Sequence, residues 1–106
     1  MFSEGLACVK LNGKYGFVDK SGKEIIPVKY DSAWSFSEGL ARVGLDKCGF
    51  IDKMGVEIIP FKYDVAESFI EGLARVKLNG KYGYIDKTDK EILPLEDERP
   101  WRSIQK

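Results

Sequence analysis

The chain spells one phrase three times. "FSEGLACVKLNGKYGFVDKSGKEIIP" begins at Phe2, and close copies begin at Phe36 and Phe69, 34 and 33 residues apart. A period of this size marks a repeat architecture, in which each unit is too small to bury its apolar face alone and stacks on its neighbours. The columns shared by all three copies include Phe2/Phe36/Phe69, Glu4/Glu38/Glu71, Gly5/Gly39/Gly72, Val9/Val43/Val76, Gly16/Gly49/Gly83, Asp19/Asp52/Asp86 and Pro27/Pro60/Pro94. Helical repeats use similar periods, so the local chemistry has to decide the class.

That chemistry is β. Asn12-Gly13 and Asn79-Gly80 each sit between two short β-rich runs, where both turn residues need positive φ; this is the strongest short-range hairpin signal. "DKSGK" places Asp19 first and Gly22 fourth in a type I turn. "EIIP" follows, a β-branched run whose proline is expected to end pairing. Each copy then reads as three short antiparallel strands, 6–11, 14–19 and 24–27 in the first, with at most an irregular turn between Pro27 and Phe36. Units of about 2–35, 36–68 and 69–95 make one domain, closed by a C-terminal cap over 96–106 with Trp101 as its anchor. The expected fold is all-β: three-stranded antiparallel meanders packed as a repeat array, open superhelical or propeller-like, without a long helix.

Pairing across Asn12-Gly13 sets Leu11 opposite Lys14, Val9 opposite Gly16 and Ala7 opposite Val18, and residues directly opposite share a face. One face carries Ala7, Val9, Leu11, Gly16 and Val18 and is assigned to the core. The other carries Leu6, Cys8, Lys10, Tyr15, Phe17 and Asp19, either a second packing layer or a working surface. Glycine is costly inside a strand unless its missing side chain makes room. An aromatic of the neighbouring copy is expected to fill the space beside Gly16, Gly49 and Gly83. Copy two departs by writing "LDKCGF" for "LNGKYGF", and copy three puts Asp89 at the turn glycine, a residue that tolerates left-handed φ.

Composition narrows the function. Lys plus Arg number 17 against 17 Asp plus Glu, which removes the basic footprint of a nucleic-acid binder. No apolar stretch approaches a membrane span and no signal-peptide pattern opens the chain, so membrane insertion is not expected and the location is cytoplasmic by default. Cys8 and Cys48 fall at non-equivalent repeat positions, as two free thiols would. There is no histidine, which removes histidine-activated nucleophiles and the usual zinc sites. "DKSGKE" has its glycine too early for a calcium loop and carries two lysines; "NGK" lacks the rest of a phosphate loop. Triplicated acids at positions 4, 19 and 24 are a poor way to build the single pair a glycosidase needs. Neither catalysis nor a cofactor is expected.

A unit spelled F-S-E-G-L-A-x-V, then G-K-(W/Y)-G-(F/Y)-I-D-K-x-G-K-E-I-I-P and K-Y-D, resembles the WG repeat, also called the KWG repeat, over about residues 2–95. The naming tryptophan-glycine pair stands here as Tyr15-Gly16, Cys48-Gly49 and Tyr82-Gly83. The resemblance implies a β-rich array of the kind found in bacterial proteins, used as an interaction module. Tyr and Arg are enriched at binding hot spots, so the candidate surface is Tyr15, Phe17, Arg42, Arg75, Tyr82 and Tyr84. The first reading is a scaffold for a protein partner or for self-association through terminal repeat edges, the N-terminal one foremost. The alternative is a carbohydrate or cell-envelope ligand module that uses the hairpin aromatics as platforms.

Overall fold

A computed structural model describes residues 2–96 of the chain. Twelve strands follow in chain order: β1 (Phe2–Ser3), β2 (Leu6–Leu11), β3 (Lys14–Val18), β4 (Glu24–Tyr30), β5 (Ser32–Ala33), β6 (Ala41–Gly44), β7 (Cys48–Ile51), β8 (Glu57–Tyr63), β9 (Val65–Ala66), β10 (Ala74–Leu78), β11 (Lys81–Ile85) and β12 (Glu91–Glu96). They form three antiparallel four-stranded sheets, β1–β4, β5–β8 and β9–β12, each a simple meander. The chain is an all-β repeat protein. Residues 97–106, including the cap anchor Trp101, lie outside the described residues.

The hairpin register is the one the Asn-Gly turn dictates: Leu11 faces Lys14, Val9 faces Gly16 and Ala7 faces Val18. Asn12 and Gly13 take φ of 52° and 82°, and Asn79 and Gly80 repeat those values. The next turn is held by Asp19, whose Oδ1 accepts the amides of Ser21 (2.9 Å) and Lys23 (3.0 Å) and the Ser21 hydroxyl (2.6 Å).

Two expectations fail. Each sheet has four strands rather than three, and the proline does not end pairing: β4 runs through Pro27 to Tyr30. Tyr15 pairs with Tyr30 and Phe17 with Ile26, so residues 27–29 face Gly16 alone. This is a bulge, and a bulge accommodates a residue that cannot donate to the ladder. It also explains the glycine. A Cβ at Gly16 would stand 2.6 Å from Ile26 O, 2.8 Å from Pro27 O and 2.8 Å from Val28 Cα. The space is taken by the bulged backbone of the same sheet, not by an aromatic of the next copy.

Asp31 alone separates β4 from β5, so the chain enters the following sheet in one residue, and Asp64 does the same between β8 and β9. Their amides donate to Gly44 O (2.8 Å) and Lys77 O (2.9 Å). The connector thereby supplies a short first strand, β5 or β9, where only an irregular turn was expected.

The sheets stack face to face. Leu6, Phe17, Ile26 and Tyr30 of the first pack against Ala33, Phe36, Ala41, Val43 and Ile51 of the second. Leu40, Cys48, Phe50, Ile59 and Tyr63 of the second pack against Ala66, Phe69, Ala74, Val76 and Ile85 of the third. The aromatic face of one sheet always meets the small apolar face of the next. The sequence left the aromatic face open between packing and exposure; in the first two sheets it packs.

Candidate functional site

The interface between sheets has two unlike halves. One is the aromatic face with the Ser-Glu-Gly turn that opens its sheet; the other is the small face of the following sheet with its own turn. Glu4, Glu38 and Glu71 take φ of 53–55° ahead of a positive-φ glycine, which aims the turn amides outward. The Gly39 amide donates to Glu4 Oε1 (2.9 Å), and the amides of Glu71 and Gly72 donate to Glu38, the latter at 2.8 Å. The Ser3 hydroxyl donates to Phe36 O and the Ser37 hydroxyl to Phe69 O, both at 2.7 Å. Lys53 approaches Glu4 and Lys87 approaches Glu38, each at 3.5 Å. Donation from Gly72, then Glu71 and Lys87, holds the Glu38 carboxyl below its ordinary range. Phe36 and Phe69 stand edge-on to Phe17 and Phe50, ring centres 4.8 Å apart.

The outer faces of the described sheets each present one half without the other. Phe2 is 45% exposed, where Phe36 is 2% and Phe69 0% exposed. Val9 and Val18 are half-buried, whereas Val43, Ile51, Val76 and Ile85 are buried; Leu11 is 62% exposed. At the other outer face Tyr84, the counterpart of Phe17 and Phe50, is half-buried, and Ile70 is 70% exposed. A groove of about 320 Å³ opens there between Glu67, Ile70, Leu73, Arg75 and Tyr84.

The six residues of the expected binding surface are divided between these settings. Phe17 is fully buried at the first interface, so it does not belong to a free surface. Tyr15 is half-buried and packs against the same cluster. Tyr82 lies beneath the Arg75 guanidinium, 4.2 Å from the ring centre, and Arg75 pairs with Glu67 at 3.2 Å. Tyr84 and Arg75 share the outer groove. Arg42 is remote from it, stacked 4.3 Å over Trp34.

A second groove, of about 410 Å³, lies where the first and second sheets meet, bounded by Lys29, Tyr30, Leu45, Gly55, Glu57 and Phe61. Burial and, after it, the charge of Glu57 push the Tyr30 hydroxyl above its usual range.

The family model described as "WG containing repeat" matches residues 1–15, 15–47 and 49–82, most of the chain. The chain belongs to the WG-repeat family. Neither a curated protein nor a solved structure matches it. In each WG unit the position of the naming tryptophan sits beside a cation. Lys10 lies 5.5 Å from the Tyr15 ring centre and Arg75 covers Tyr82. In the middle WG unit the ring is gone: Arg42 donates to Cys48 Sγ at 3.3 Å and stacks on Trp34, which supplies an aromatic from the connector. Both cysteines are free, Cys48 buried and Cys8 half-buried; burial raises the Cys8 thiol. Among the described residues no group of three metal-ligating side chains forms, and no helix is long and apolar enough to cross a membrane.

Two features of the WG site escaped the sequence reading. The Glu4/Glu38/Glu71 column reads from the sequence only as a set of candidate acids, yet Glu4 and Glu38 tie sheet to sheet. The signal in the sequence was the Glu-Gly pair recurring once per unit; the positive φ that makes it a turn with an acceptor attached is visible only in the structure. The groove beside Gly55 had a signal too, since the third copy carries Asp89 where the second has glycine.

Proposed function

We propose that this WG-repeat chain is a non-catalytic interaction module that associates with further units of its own kind through its outer sheet faces, a second copy of the chain being the partner. The observation that carries this reading is the pair of unmatched half-interfaces. Among the described residues Glu71, the counterpart of Glu4 and Glu38, accepts no hydrogen bond, and Lys20, the counterpart of Lys53 and Lys87, pairs with no acid. Brought together, Glu71 of one copy meets the Glu4 and Gly5 amides and Lys20 of the next. Phe2 then takes the place against Tyr84 that Phe36 takes against Phe17. Several acids of the repeat have structural roles: Asp19 and Asp86 hold their own turns, and Asp64 holds Lys47 and the Asn79 amide. The carbohydrate-platform alternative loses Phe17 to burial and the Tyr82 face to Arg75.

Unlike halves make a head-to-tail contact, which grows by addition rather than closing at a dimer. Light scattering over a wide concentration range should therefore show mass rising stepwise. Leu11→Asp blocks one face and Ile70→Asp the other, both at exposed positions that the fold does not need. Each variant alone should stay monomeric, and an equimolar mixture should stop at a dimer. A wild-type chain that is monomeric throughout, or a Leu11→Asp variant that associates as the wild type does, overturns the proposal.

A further inference from the structure

The two inter-sheet interfaces pack equivalent core residues but differ at the turn that faces Tyr30 or Tyr63. In the second, Asp89 occupies the turn position with φ 68°; in the first, Gly55 occupies it with φ 85°. The Asp89 carboxylate reaches back to the preceding sheet. The Tyr63 hydroxyl donates to its Oδ1 at 2.6 Å, and Lys62 Nζ lies 2.8 Å from its Oδ2. Tyr30 and Lys29 hold the same positions at the first interface. The Lys29 ammonium lies 5.5 Å from the Tyr30 ring centre, and Lys62 lies 5.2 Å from that of Tyr63. Gly55 brings no carboxylate. Among the described residues neither the Tyr30 hydroxyl nor the Lys29 ammonium has a hydrogen-bond or ion-pair partner. The 410 Å³ groove opens at this spot. A Cβ built on Gly55 would touch only Ile26, at 3.6 and 3.9 Å, so the path the Asp89 side chain follows is clear here.

We infer that this groove is a carboxylate-binding subsite: Tyr30 Oη donates to, and Lys29 Nζ pairs with, a ligand carboxylate in the position that the Asp89 side chain fills one interface further along. Leu45 and Phe61 offer an apolar wall to the body of the ligand, beside the Tyr30 ring 6.1 Å from that of Phe61. The ligand class is a carboxylate on a short apolar stem, either an acidic peptide side chain or a small organic acid. Glu57 and Asp46 also line the groove and oppose an anion, while Lys47 is paired with Asp64. The Glu57 counterpart, Glu91, acts on Tyr63 in the same way, and a carboxylate is held there regardless. Asp46 has no acidic counterpart in the third copy, where Asn79-Gly80 forms the turn.

The test is an amide-shift titration of the full chain with sodium benzoate and with a blocked glutamate-containing hexapeptide, at constant ionic strength with sodium chloride as the control. Both probes should produce saturable shifts centred on Tyr30, Gly55 and Phe61. Tyr30→Phe should weaken binding about tenfold, equivalent to ~1.4 kcal/mol, and Asp46→Asn should tighten it. Gly55→Asp supplies the carboxylate internally and should abolish binding. Asp89→Gly vacates the second copy of the site and should add a second binding event at Tyr63. A tighter peptide identifies a protein as the carboxylate's source; tighter benzoate identifies a small acid. Shifts reproduced by chloride, or unchanged binding in Gly55→Asp, overturn the inference. Should that variant fail to fold, unchanged affinity in Tyr30→Phe together with one site in Asp89→Gly does the same.

Discussion

Replacing the glycine of the middle sheet with alanine tests the central packing argument. At Gly49 a new Cβ would lie 2.5 Å from Ile59 O, 2.6 Å from Phe61 Cδ1 and 3.0 Å from Pro60 C. The Phe61 ring can swing aside, but the Ile59 carbonyl is fixed in the bulged ladder and has to retreat by roughly an ångström. Overpacking of this kind costs ~1–3 kcal/mol, and a displaced ladder hydrogen bond adds ~1 kcal/mol. Against this, alanine is favoured over glycine in a strand by about 0.5–1 kcal/mol. The net for Gly49→Ala is a loss of ~2 kcal/mol. Gly44, in the same sheet, is the control: its Cβ would meet Ser32 Oγ at 2.5 Å, the end of a rotatable side chain, with Lys47 O and Cys48 Sγ at ordinary distances. Gly44→Ala should therefore fall within about 0.5 kcal/mol of the wild type. Urea unfolding followed by far-UV circular dichroism separates the two, since small proteins have slopes of ~1–3 kcal/mol per molar urea. The Gly49→Ala midpoint should drop by roughly 0.7–2 M, and that of Gly44→Ala should barely move. Equal midpoints would refute the close-approach account of the glycine.

Further outcomes follow from the same geometry. Glu38→Gln removes the charged acceptor of the Glu71 and Gly72 amides, so hydrogen exchange at those two amides should accelerate while the Gly13 and Gly80 turns keep their rates. Unchanged protection there would remove the carboxylate from the sheet-to-sheet tie. Asp19, Asp64, Asp86 and Glu38 are held below their ordinary range, chiefly by Ser21, Lys47, Thr88 and Gly72 in turn. Their contribution is complete above the unfolded carboxylate range near pH 4 and is lost as pH falls through the depressed folded values. Thermal midpoints should therefore be level from neutrality to about pH 5 and fall below it; a midpoint that rises on acidification contradicts the assignment. Phe50→Ala, at a fully buried ring edge-on to Phe69, should cost ~3–5 kcal/mol. Met54→Ala, at an exposed turn, should stay within about 0.5 kcal/mol, and similar losses in the two would refute the stacked core.

Much of this fold is local, and local structure is what a sequence states best. Asn12-Gly13 fixed a hairpin and its register because positive φ at both turn residues leaves one way to pair the flanking strands. Asp19 and Gly22 fixed the next turn by a side-chain acceptor and a left-handed backbone. The threefold spelling fixed the stack, since no single unit can cover its own face. Tertiary structure decided what each recurring residue is for. Pro27 reads as a stop in one dimension, but a bulge lets the strand pass it, and Gly16 is the room that the bulge occupies. Phe17 reads as a surface aromatic until the next sheet is laid over it. Glu4 reads as a spare acid until the following turn brings its amides within reach. The contrast between Gly55 and Asp89 carries meaning only once Tyr30 and Tyr63 are seen on the sheet opposite. Hydrogen bonds within a turn span a few residues and are written in order along the chain. Those that Glu4 and Glu38 accept between sheets join residues 33 to 35 positions apart, and only the stacking of one face on the next brings them together.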